Sequence, residues 1–182
     1  MPLPLLDKKN MVKDISKSKE RPSDPRNQEV VHPAAGNPQL GNLATPINAS
    51  GLSKWWINIQ PAYRQGITPF RRGLEVGIAQ GLWVIIPFVK LGPLRDTDTA
   101  NIAGFLSAVG LLIFSTAAIV LYATSNPPKP VATITNPQPP GELTTSAGWY
   151  KYANGFFVGG IIGTTITFFV LSNWAVVQNL FG

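Results

Sequence analysis

The chain has 182 residues, enough for one modest domain, and is 45% hydrophobic with only 13% charged residues. Its mean hydropathy of +0.11 would suit a soluble protein, but residues 1–72 hold eleven Lys/Arg and five Asp/Glu while residues 99–182 hold only Lys129, Lys151 and Glu142, which argues against one globule with a charged skin and for a membrane protein. Zero Cys excludes disulfides, thiol nucleophiles and Cys-ligated metals, and the single His, His32, too few for a His-rich zinc site, sits before a proline in the polar arm, a poor place for a Ser-His-Asp triad.

The pI near 9.8 does not point to nucleic acid, because the bases alternate with acids (Asp7, Lys8, Lys9, Lys13, Asp14) and form no dense run; a membrane surface accounts for them better. No apolar stretch follows the early lysines, so the N-terminus is expected to stay as an extended arm over residues 1–72 and not to act as a cleaved signal. Pro22, Pro25, Pro33, Pro38 and Pro46 forbid long helices there.

The remainder, residues 73–182, is expected to be a three-helix transmembrane domain with spans near 73–89, 100–123 and 154–175. The first, Gly73–Val89, is the shortest and carries Glu75 and Gln80. The second lies in an uncharged run from Thr99 to Pro128, and the third in one from Tyr152 to Gly182, with Trp149, Tyr150, Tyr152 and Trp174 where interfacial aromatics belong. Lys/Arg counts put thirteen bases in residues 1–72 and the loop 124–153, against Lys90 and Arg95 in and beside the turn Leu91–Asp98. By the positive-inside rule the N-terminus faces the cytoplasm or its equivalent and the C-terminus the far side. The loop Ser125–Gly148 holds six prolines and is expected to be stiff, extended and exposed.

Small residues recur every fourth position at Gly73, Gly77 and Gly81, at Ala100, Gly104 and Ala108, and at Gly155, Gly159 and Gly163. Such ladders admit another helix backbone or a flat ligand. Glu75 has two readings of equal weight. A carboxylate within a span costs about 2.5–3.5 kcal/mol at the helix centre and so marks a candidate site; Arg71 lies four residues earlier and would form an i,i+4 ion pair. Gln80 sits about 140° around the helix from Glu75, so the two could not share one metal centre. The second and third spans hold no ionisable group for a transport path, which leaves a small carrier or assembly factor as the weaker alternative.

Three strings go further: Pro61–Arg64 (PAYR), Arg72–Gly81 (RGLEVGIAQG) and Lys90–Asp98 (KLGPLRDTD), with Asn42–Ile47 (NLATPI), Gly148–Trp149 and Gly155–Gly159 (GFFVG) in support. From about Pro22 to the C-terminus the chain resembles subunit XI of photosystem I, the PsaL family. The resemblance implies an all-α, multi-pass thylakoid protein with a stromal N-terminus and a lumenal C-terminus. It implies no catalysis, but binding of antenna chlorophyll a and β-carotene, and contacts with the photosystem I core, neighbouring small subunits, lipids and subunit XI of adjacent monomers. It also implies that Glu75 ligates a chlorophyll magnesium. Gln80 stands where the family usually has a histidine ligand, so a second pigment is expected with altered ligation, or exchanged for another chlorophyll type. Asp96, with the carbonyl of Pro93, matches a turn that resembles a calcium site between monomers. The proline-rich stretch Ser125–Pro140 looks like forms that make dimers and tetramers, with a trimer as the alternative.

Overall fold

The computed structural model describes residues 16–17, 28–29, 31–33, 39 and 42–181. Much of the expected arm, including Pro22, Pro25 and Pro38, lies outside the described residues. The contacts divide into two units, residues 1–65 with 131–139, and residues 66–130 with 140–182. The expected boundary at residue 72 falls inside a helix.

The first unit contains two short antiparallel pairings. β1 (Ser16–Lys17) pairs with β2 (Gln28–Glu29), and β3 (His32–Pro33) pairs with β4 (Leu43–Ala44). An Asn-based turn follows: Asn48 Oδ1 accepts from Thr45 N at 2.8 Å, and Asn48 Nδ2 donates to the Leu43 carbonyl at 2.7 Å. Such side-chain closure satisfies backbone groups that a short loop would otherwise leave open. Ser50 then caps α1 (Gly51–Ile59) by accepting from Ser53 N at 3.1 Å.

Segment 131–139 is stitched to this arm. Asn58 Nδ2 donates to the Thr135 carbonyl at 2.7 Å, Thr135 Oγ1 to the Asn48 carbonyl at 3.2 Å, and Asn42 Nδ2 to the Ala132 carbonyl at 3.4 Å. Gln65 Nε2 also donates to the Gln138 carbonyl. The middle of the proline-rich loop is therefore fastened and not a bare spacer, while Ser125, Asn126, Pro128 and Lys129 at its start are exposed as its composition suggests. Asn136 within it is only 6% exposed; its N–H donates to Thr133 Oγ1 at 3.0 Å and its carbonyl accepts from Thr133 N at 2.9 Å, while arm side chains take the neighbouring carbonyls of Ala132, Thr135 and Gln138.

The second unit is built on α2 (Pro69–Leu91), α3 (Ala100–Thr124) and α4 (Ser146–Ser172), all long and apolar enough to cross a membrane. A 3₁₀ turn (Gly141–Thr144) precedes α4, and α5 (Trp174–Phe181) follows it. α2 starts four residues before the sequence expectation because Thr68 Oγ1 caps it and Pro69 occupies the first turn, where a missing N–H costs nothing. α4 starts eight residues early because Thr145 Oγ1 accepts from Gly148 N at 3.1 Å. It ends at Ser172, short of the expected 175, where Asn173 turns its side chain back to the Phe169 carbonyl at 2.9 Å.

α2 and α4 run parallel, each ladder set into the other. A Cβ on Gly73 would meet the backbone of Tyr152 and Phe156, on Gly77 that of Phe156 and Gly160, and on Gly81 that of Gly160 and Thr164. Gly155, Gly159 and Gly163 in turn face the backbone at Phe70, Leu74 and Ile78. Close approach of this kind maximises dispersion contact where no hydrophobic drive separates helix from lipid. Two hydroxyls lock the register, Thr167 Oγ1 donating to the Leu82 carbonyl at 3.0 Å and Thr164 Oγ1 to the Gly81 carbonyl at 3.4 Å.

α3 returns antiparallel. Gly104 lies against Val89, Leu112 against Gly160, and Tyr122 meets Trp149 edge-on at 5.0 Å between ring centroids. Ile85, Val89 and Ala108 form the buried cluster at one end, with Phe105, Phe168 and Leu171 packed around it. The N-terminal ends of α2 and α4 therefore share one end of the bundle with the C-terminal end of α3.

Candidate functional site

The two polar side chains expected to matter on α2 point in different directions. Taking 100° per residue, Glu75 lies about 160° around the helix from Gly77 at the centre of the α4 seam, and Gln80 about 60° from it. Glu75 is thus on the side turned away from α4. Arg71 Nε donates to its Oε1 at 2.9 Å, with side-chain exposures of 65% for Arg71 and 26% for Glu75. The ion-pair reading is therefore realised.

A carboxylate has two oxygens and about four lone-pair directions. Hard oxygen donors of this type suit Mg²⁺, so Glu75 can serve a magnesium while Arg71 balances its charge. Gln80 is half-buried and its side-chain amide makes no hydrogen bond with the described residues. Its oxygen is likewise a hard donor, directly or through water.

The glycine ladders of α2 and α4 do not offer room for a flat ligand. Their close-approach faces are filled by each other's backbone, so helix packing takes the space that a porphyrin face would need. Gly104 of the α3 stripe is closed by Val89. Gly110 of α3 is different, with nothing within 4 Å of an added Cβ.

Asp96 and Pro93 lie in the exposed turn between α2 and α3. The turn borders a hollow of about 470 Å³ lined by Lys90, Arg95, Asp96, Thr97, Asp98 and Asn101. Arg95 Nε reaches Asp96 Oδ2 at 3.4 Å. Calcium takes six to eight oxygen ligands, and among the described residues no group of three or more acidic or imidazole side chains could hold a metal. The turn of one chain does not fit calcium by itself.

The sequence marks Arg72 as an interfacial base, yet it is only 1% exposed and its Nη2 donates to the Ile67 carbonyl at 3.4 Å. Nothing in its local pattern distinguishes it from exposed Arg71. Trp149 gains a role through its indole, whose Nε1 donates to the Leu143 carbonyl at 2.8 Å and fastens the 3₁₀ turn to α4.

Residues 30–176 match the family model described as photosystem I reaction centre subunit XI. A similar protein of that name from Mastigocladus laminosus is 55% identical over 172 residues, covering 94% of this chain and 99% of its own length. One from Nostoc punctiforme is 54% identical over 173 residues, covering 94% and 100%. One from Thermosynechococcus vestitus is 44% identical over 153 residues, covering 84% and 95%. With three membrane-length helices and matches that cover nearly the whole chain, this chain belongs to the photosystem I reaction centre subunit XI family, as a structural membrane subunit of the complex.

Proposed function

We propose that the chain binds antenna pigment at the edge of the photosystem I core and forms contacts between photosystem I units in the thylakoid membrane. Glu75 would hold the magnesium of one chlorophyll a, and Gln80 that of a second chlorophyll with weaker ligation. The observation that carries this reading is the placement of Glu75, a carboxylate inside a spanning helix on the side away from the α4 seam. Bound chlorophyll brings a magnesium that takes an axial oxygen and a ring that absorbs light. The chain's own part is to present that oxygen, keep Arg71 beside it, and surround it with apolar helix. Much of α2, α3 and α4 is open in the single chain, which leaves area for phytyl tails, β-carotene, lipid and neighbouring subunits.

The stromal placement of the N-terminus rests on the thirteen-to-two distribution of Lys/Arg. Assembly as dimers or tetramers rests on the proline-rich stretch Ser125–Pro140, and imaging of the solubilised complex tests it: a uniform threefold particle would reject it.

The pigment reading is tested in the assembled complex by replacing Glu75. Glu75→Ala is expected to lose one chlorophyll per subunit with a change in the low-temperature absorption spectrum, and Glu75→His to retain it. Arg71→Ala removes the ion pair and should keep the pigment. An unchanged pigment count in Glu75→Ala would leave only the ion pair as the role of this carboxylate. Gln80→His is expected to alter the spectrum, and an identical spectrum and pigment number would end any special role for Gln80.

A further inference from the structure

Helix α1 is amphipathic the wrong way round for a helix packed on its own domain. At 100° per residue, Trp55, Ile59, Leu52 and Trp56 fall within an arc of about 100°. All four face outward, with exposures of 58%, 38%, 74% and 56%. The opposite side carries Ser53, Lys54, Ile57 and Asn58, and these are the half-buried positions. The polar face is held inward by Asn58 Nδ2, which donates to the Thr135 carbonyl at 2.7 Å and to the Lys54 carbonyl at 2.6 Å. No residue of α1 is buried. Turning the stripe inward would break the bond to Thr135, so its outward orientation is fixed by the fold and is not a matter of a loosely attached helix.

We propose that this stripe is a membrane-interface anchor, with Leu52, Trp55, Trp56 and Ile59 seated at the headgroup–acyl boundary of the leaflet from which α2 enters the bilayer. Three observations select a lipid surface. Two of the four residues are tryptophans, whose amphipathic rings favour that depth. Only residues 60–68 separate α1 from the spanning helix α2, a connection of at most about 30 Å even when fully extended. The segment from 1 to 72 that contains α1 has six more bases than acids, eleven against five, a balance that suits an anionic leaflet. An interfacial helix with its apolar face down and its polar face toward the protein matches the way such anchors partition.

The absence of Cys from the chain makes a single engineered cysteine a unique label site. The full chain carrying Leu52→Cys, or Lys54→Cys on the opposite face, is reconstituted in nanodiscs of phosphatidylcholine with phosphatidylglycerol and labelled with a nitroxide. The position-52 label is expected to be severalfold more accessible to oxygen relative to a water-soluble nickel chelate than the position-54 label. Equal ratios at the two positions would overturn the anchor. In the assembled photosystem, a benzophenone amino acid at position 52 is expected to give a lipid adduct on irradiation. An adduct with a protein subunit would overturn the lipid assignment and make the stripe a subunit-docking face.

Discussion

Replacing Gly77 by alanine tests the helix seam at its centre. The added Cβ would lie 2.7 Å from Gly160 N and 2.9 Å from the Phe156 carbonyl carbon, with the Phe156 oxygen nearer still, and every one of these is backbone. Ordinary contact begins at 3.4 Å, so the helices must part by at least about 0.7 Å, the difference between 3.4 and the 2.7 Å at Gly160 N, and by more at the Phe156 oxygen. A gap of about 0.5–1 Å forfeits a quarter to a half of each dispersion contact across it. Overpacking of this kind costs about 1–3 kcal/mol. The hydroxyl bonds from Thr164 and Thr167 to α2 lie one turn further along and weaken with it, at about 0.6 kcal/mol each in a membrane protein. Alanine's better helix propensity returns about 1 kcal/mol. The net expectation is a loss of about 1–3 kcal/mol, read as a lower midpoint in equilibrium denaturation of the full chain in lipid–detergent micelles. Gly110→Ala is the control: with nothing within 4 Å of its Cβ, only propensity acts, and the variant should be neutral or more stable by up to about 1 kcal/mol. Gly159→Ala strains the same seam, so its combination with Gly77→Ala should cost less than the sum. The reasoning is refuted if Gly77→Ala matches the wild type, or if Gly110→Ala is destabilised as much.

Thr145→Ala removes the cap of α4 and should lower stability by about 1 kcal/mol in the same assay, with Thr145→Ser restoring most of it. Arg71→Ala breaks a pair whose arginine is mostly solvent-exposed, and should change stability by no more than about 0.5 kcal/mol. Asp96→Asn is expected to leave stability within about 0.5 kcal/mol of the wild type. Millimolar calcium should not shift the denaturation midpoint of the wild-type single chain, and a shift abolished by Asp96→Asn would show that the turn holds the ion unaided.

The spans are legible in the sequence because an uncharged apolar stretch of about twenty residues matches the thickness of a bilayer, and the expected α3 agrees with the observed helix to within a residue of its end. The starts of α2 and α4 are not legible, because composition discounts polar flanks. Arg71 and Arg72 hide four residues of α2, and Trp149 to Tyr152 have the composition of a belt outside α4 although they form part of its first turns. The four-residue spacing of glycines announces a close approach but does not say what approaches. That answer needs the pairing of α2 with α4, a contact between segments about eighty residues apart. The helix α1 is easily missed in the sequence because its nine residues lie between Pro46 and Pro61 in a proline-rich arm, although Leu52, Trp55, Trp56 and Ile59 recur at helical spacing. At Glu75 the spacing to Arg71 correctly announces the ion pair. Arg72 differs from Arg71 only in the direction that a helix gives it.

The stitching of residues 42–65 to residues 131–139 makes the α2–α3 hairpin an insertion within another folding unit. During synthesis the early half of that unit must wait while both spanning helices are made, several seconds at about 5–20 residues per second. Asn42, Asn48, Asn58 and Gln65 acquire their distant partners only after α3 has returned the chain to the side it started from. Completion of this unit thus reports that the hairpin has crossed the bilayer twice. A chain in which α3 failed to insert would leave residues 131–139 on the wrong side of the membrane, with the arm's polar side chains exposed to whatever quality control inspects them.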